Sequence, residues 1–162
     1  MPQYWLKPLG TTEPHAPLRD DWTSDEAREF DLPRFELITG PATPTKPPQM
    51  GKGDRVLLHA VIHVKLIGEG EILDNPQWKP HGRWGGRFPW AYPCRLDLWV
   101  PRVADGVHTP DVAPKKAMGR IQTGAAFAAL TRQEYEALVD ALSARPTVQR
   151  PAATLKKHGG DN

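Results

Sequence analysis

Trp78, Trp84 and Trp90 fall within thirteen positions of one another, interleaved with Lys79, Arg83 and Arg87. Indole faces stack on bases or enclose methylated groups, while lysine and arginine neutralise phosphates, so this mixture fits a nucleic-acid partner. The same residues also fit a structural reading, in which each indole plugs the end of a small β core. Catalytic constellations do not occur: the chain has no Gly-x-x-x-x-Gly-Lys-Ser/Thr loop, no His-Glu-x-x-His helix and no Gly-x-Ser-x-Gly elbow. We therefore expect a binding module and assign no catalytic residue, cofactor or metal ligand. An enzymatic alternative would rest on Asp74 and His81, the acid and histidine nearest to or within the aromatic segment.

His59 and His63 are four apart in a run rich in β-branched residues, where four strand steps separate side chains by roughly 13 Å, too far to share a metal. They are expected to be structural or surface residues. The single cysteine, Cys94, allows no internal disulfide and reads as a small buried hydrophobe.

Several elements position these residues. Tyr4 to Lys7 is expected to form a strand stopped by Pro8, and Phe35 to Ile38 another. Thr23 to Phe30 is expected to give a turn or two of helix, and the prolines at 41, 44, 47 and 48 a loop. The run Arg55 to Gly68 reads as one long strand after the Gly51-Lys52-Gly53-Asp54 turn, with a partner strand over Gly68 to Asp74 pairing around Lys65 to Gly68. Asn75 to Pro93 holds four prolines and three glycines, and is expected to be a loop throughout. Cys94 to Val100 alternates, with Cys94, Leu96, Leu98 and Val100 on the inner side. Thr131 to Ser143 is the clearest helix: Thr131 and Glu134 make a capping box, and Tyr135, Leu138, Val139 and Leu142 form one apolar stripe.

Three of these segments together resemble a known family. Tyr4-Trp5-Leu6-Lys7, Gly51-Lys52-Gly53-Asp54-Arg55-Val56 and Thr131-Arg132-Gln133-Glu134-Tyr135 follow the order of the EVE domain, of the PUA-like superfamily, over most of residues 4 to 143. Trp78 and the run Trp84-Gly85-Gly86-Arg87-Phe88 are similar to the cage loop of the related YTH domains, which read methylated adenine in RNA. The resemblance implies a mainly β fold with helices (α+β), a PUA-like pseudo-barrel with a C-terminal helix. It also implies an aromatic cage whose walls are Trp78, Trp84 and Trp5. Lys7 is then expected to supply a polar contact beside the cage, and Lys79, Arg83 and Arg87 to meet the nucleic-acid backbone. The expected function is recognition of a methylated nucleobase in DNA or RNA. The alternatives are a nucleic-acid-processing enzyme, or an adaptor for small molecules or proteins, on the same fold.

Composition bounds these expectations. With 162 residues, 39% hydrophobic and 25% charged, the chain has material for one core. It is expected to form one domain over 1–144, with a disordered basic tail over 145–162. The N-terminus lacks the features of a secretory signal and no apolar run is long enough to span a bilayer, so a cytoplasmic protein without a membrane partner is expected. The net charge of +2 conceals an asymmetry. Residues to Glu36 hold eight acidic and four basic side chains, whereas the remainder has eleven acidic and seventeen basic. Lys79, Arg83, Arg87, Arg95 and Arg102 face only Asp97 in their stretch, which suits a polyanion or an ordinary solvated surface.

Overall fold

The computed structural model describes residues 2–10, 18–24, 34–40, 44–45, 47–81 and 88–150. Its strands are β1 (Tyr4–Leu9), β2 (Arg34–Thr39), β3 (Arg55–Ala60), β4 (Lys65–Ile72), β5 (Gln77–Trp78), β6 (Trp90–Trp99), β7 (Val107–His108), β8 (Ala128–Leu130) and β9 (Val148–Gln149). Two helices, α1 (Lys115–Gln122) and α2 (Arg132–Ser143), complete an α+β fold. The main sheet runs β2-β6-β4-β3-β1-β8, with β5 and β9 also on β6 and β7 on β4. Only β1 and β3 pair in parallel among the described strands.

Buried residues occupy both faces of the sheet: Trp5, Val56, Leu58, Ile72, Cys94 and Leu96 on one, and Leu6 and Leu57 on the other. Cys94, Leu96, Leu98 and Val100 point inward as the alternation requires, and burial pushes the Cys94 thiol well above its ordinary range. Trp22 closes this core from outside the sheet: its ring is fully buried and its indole N–H donates to Val100 O at 2.8 Å. On the opposite face α2 packs across β1, β4 and β8. Its capping box is formed as expected, with Glu134 N donating to Thr131 Oγ1 at 3.1 Å and Thr131 N to Glu134 Oε1 at 2.8 Å.

Four expectations need correction. The run Arg55 to Gly68 is two strands, not one, because the chain reverses at Val61–Val64. Ile62 and Val64 take φ of 70° and 57°, which β-branched residues rarely do, and external bonds hold them there. Val61 N donates to Leu9 O and Thr109 N to Val64 O. No glycine or asparagine marks this turn, so nothing local announced it.

Strand β1 continues through Pro8 to Leu9. The segment from Asn75 to Pro93 is not wholly a loop, because β5 and the start of β6 pair within it. Finally, the chain does not become disordered at Arg145. Val148 and Gln149 pair with Trp99 and Leu98, and Arg150 reaches Asp97, so the ordered unit extends to residue 150. Residues 151–162, and most of the expected Thr23 to Phe30 helix, lie outside the described residues.

Glycine has a clear purpose at two positions. Gly53, at φ +88°, makes the turn into β3, and a Cβ on Gly70 would lie 2.1 Å from Arg95 O where β4 and β6 meet at an irregular register.

Candidate functional site

The expected cage residues have different fates. Trp5 is a core residue: it is only 3% exposed, its ring meets Phe127 edge-on at 5.1 Å, and its indole N–H donates to Asp54 Oδ2 at 2.9 Å. Asp54 is fixed in turn by the Gly51–Asp54 turn, where its carboxylate also accepts from Gln3 N and Gly51 N. An indole sealed on its faces and satisfied at its edge does not form the wall of an open cage, so Trp5 leaves the expected set.

Lys7 is also inward. It is 6% exposed, and its ammonium donates only to the carbonyl of Pro8, at 3.3 Å, with no carboxylate at ion-pair distance among the described residues. Burial lowers its pKa to about 8, since the charged form loses hydration that no counter-ion replaces. In sheet order Lys7 lies on β1, with β3 and β4 between it and β6.

Trp78 is the expected residue that does reach the surface. It is half-buried on β5, directly opposite Trp90 on β6, and the two rings meet tilted at 64° with centroids 5.1 Å apart. Thr39 on β2 lies opposite Trp90 on the other side. Directly opposed residues of antiparallel strands share a face, so Thr39, Trp90 and Trp78 form one row. Within it the Thr39 hydroxyl is fully buried and has no hydrogen-bond partner among the described residues. The sequence expectation counts Trp90 among the three clustered indoles but leaves it out of the cage, and it does not mark Thr39 at all. Strand pairing inside a proline-rich segment was the missing information.

The hairpin carrying this row is closed by Lys79 N donating to Pro89 O at 2.7 Å. Arg83, Trp84 and Arg87 belong to the connection beyond that rung and lie outside the described residues. The Lys79 ammonium pairs with Glu36. Both groups are about half exposed, so the pair contributes at most about 1 kcal/mol and yields readily to a phosphate.

Two other cations counted towards a basic surface are already neutralised. Arg102 pairs with Asp20, and Arg95 with Asp97 and Glu71. Arg95 belongs to a network that sequence inspection missed, although charges at alternate positions of β4 and β6 were its signal. Arg55 contacts Glu69, Glu71 at 3.3 Å and Asp97 at 3.0 Å, and Asp97 also accepts from Arg95 at 2.8 Å and Arg150 at 2.7 Å. The Tyr135 hydroxyl of α2 donates to Glu69. Burial raises the Glu69 pKa, and Arg55 and Tyr135 offset this only in part. At Asp97 burial acts the same way, but Arg95, Arg150 and Arg55 outweigh it and the carboxyl is held below its usual range. Three carboxylates face three guanidiniums here, which makes the network a charge-balanced clasp between the sheet, α2 and β9.

The histidines serve structure as expected. His59 Nδ1 lies 2.7 Å from Thr109 Oγ1, and burial, assisted by His108, lowers its pKa to about 4. His63 Nε2 lies 2.8 Å from Leu18 O. Asp74 accepts from the adjacent Asn75 N at 2.8 Å, and no described contact joins it to His81. No group of three or more potential ligands among the described residues could hold a metal, and none of their helices is long and apolar enough to cross a membrane.

The geometry thus defines a small α+β protein in which a half-buried Trp78 packs on a buried Trp90. No family model and no curated protein matches the chain. Solved structures of similar fold do exist. A hypothetical protein of Leishmania major superposes with a TM-score of 0.56 at 13% identity, covering 89% of this chain and 96% of its own. An NMR structure from Rhodopseudomonas palustris gives 0.53 at 16%, covering 88% and 94%. A crystal structure from Agrobacterium tumefaciens gives 0.51 at 18%, covering 92% and 99%. At these identities the likeness establishes the fold alone.

Proposed function

We propose that this chain is a non-catalytic, PUA-like binding module, similar to EVE and YTH domains, that takes a methylated nucleobase of DNA or RNA against its tryptophans. The observation that carries this reading is the Trp78–Trp90 pair, in which the half-buried Trp78 ring backs onto the buried Trp90 at the stem of the connection bearing Arg83, Trp84 and Arg87. Trp78 and Trp84 match the cage residues of the resembling family, and Trp5 is replaced in the proposal by Trp90. A methylated base presents a flat, polarizable face that gains from leaving water beside indole, while adjacent cations meet the phosphates. Lys79 joins Arg83 and Arg87 in that role by exchanging Glu36 for phosphate.

The test is titration with short single-stranded DNA and RNA carrying or lacking N6-methyladenine, at two salt concentrations. Tighter binding of the methylated strand, weakening as salt rises, is expected. Equal affinity for both strands removes methyl recognition from the account.

A further inference from the structure

We propose that the Thr39 hydroxyl is a ligand-binding group, which hydrogen-bonds the edge of the heterocycle seated on the Trp90–Trp78 row. The proposal rests on the nucleobase reading above and adds to it the polar contact that fixes how the base lies.

Three observations converge. Thr39, Trp90 and Trp78 are successive partners across β2, β6 and β5, so their side chains line one face in a row. Exposure rises along that row, from a fully buried Thr39 and a Trp90 at 6% to a half-buried Trp78. The Thr39 hydroxyl is the one buried side-chain polar atom among the described residues left without a partner. Other buried polar groups nearby are satisfied: the Tyr92 hydroxyl, one inward position along β6, donates to Met50 O at 2.6 Å.

A buried hydroxyl without a partner is a standing penalty, and valine of nearly the same shape would remove it. Such a group becomes favourable once a ligand supplies the missing bond. A threonine hydroxyl both donates and accepts, so it can meet a ring nitrogen, an exocyclic amine or a carbonyl at the edge of a base stacked on the indoles. Aromatic faces alone accept any base, whereas a hydrogen bond at the edge sets its orientation and penalises a ligand that lacks the matching group.

The experiment compares wild type, Thr39→Val and Thr39→Ser. The probes are a single-stranded DNA nonamer with central N6-methyladenine, its adenine twin, and a twin abasic at that position. Thr39→Val is expected to unfold at the same or a higher temperature than wild type, yet to bind the base-bearing strands roughly three- to tenfold more weakly. Its affinity for the abasic strand is expected to be unchanged, and Thr39→Ser, which keeps the hydroxyl, to bind as wild type does. Undiminished binding of the base-bearing strands by Thr39→Val overturns the proposal. If wild type binds methylated and plain adenine equally while Thr39→Val still weakens both, methyl reading fails and the edge contact stands. If wild type prefers no base-bearing strand over the abasic one, the seat and the edge contact fail together.

Discussion

The indole N–H of Trp5 donates to Asp54 Oδ2 across 2.9 Å, joining the first strand of the chain to the turn that launches the third. Asp54 receives two further N–H groups, from Gln3 and Gly51, in the same buried place. Trp5 is thereby part of a clasp that holds β1 in parallel register with β3, and its replacement should affect folding rather than ligand choice. Trp5→Phe keeps most of the apolar ring and removes the donor. Its expected cost is about 1–3 kcal/mol, from the lost hydrogen bond to a charged carboxylate, measured as a shift in the urea midpoint. The preference between methylated and plain strands should survive in the folded fraction. Loss of that preference with unchanged stability would return Trp5 to the ligand site.

The motifs that made the sequence resemble a family turn out to touch one another. Trp5 meets Asp54, Tyr4 packs against Tyr135 with ring centroids 4.9 Å apart, and Tyr135 reaches Glu69 beside Arg55. These short motifs are thus joints of the scaffold. The capped α2 and the alternating inner face of β6 were legible for local reasons, a capping box and a period of two. What sequence hid was non-local. The reversal at Ile62 is held by bonds to the Leu9 carbonyl and from the Thr109 N–H, and β9 pairs with β6 beside the Arg150–Asp97 contact. Thr39 was invisible as a site candidate because its neighbour Trp90 is fifty-one positions away and meets it only through strand pairing.

The Arg55 network gives a second prediction. Glu69 is 5% exposed, and Arg55 is its main counter-charge. Arg55→Met leaves that carboxylate buried without its cation and is expected to cost about 3–5 kcal/mol, as breaking a buried pair from one side does. Arg150→Ala, by contrast, leaves Asp97 with Arg95 and Arg55 and should cost about 1 kcal/mol, within the range of a single hydrogen bond to a charged group or less. Chemical denaturation of both variants checks the order. Equal costs would mean that the network does not centre on Arg55.

Lys7 predicts an alkaline signature of its own. Its folded pKa, lowered to about 8 from 10.5, means that the unfolded chain holds a proton there more tightly than the folded protein. Folding therefore carries the whole cost of burying the charge below pH 8, and stability rises as pH climbs from about 8 to 10.5. Lys7→Met should stabilise the protein at pH 7 by a gain on the order of 3 kcal/mol, the equivalent of that shift. The gain should shrink towards zero by pH 10.5. A constant difference between the two proteins across this range would show that the ammonium is not buried uncompensated.

The central claim is that a base settles on Trp78 and Trp90 and leaves the core indoles alone. The most direct measurement is the set of indole N–H resonances of the six tryptophans, recorded while the methylated nonamer is added. The signals of Trp78 and Trp90 should move through the ring current of the arriving base. Those of Trp5 and Trp22, locked to Asp54 and to the Val100 carbonyl, should stay in place. Binding that shifts Trp5 or Trp22 while Trp78 and Trp90 remain still would contradict the account.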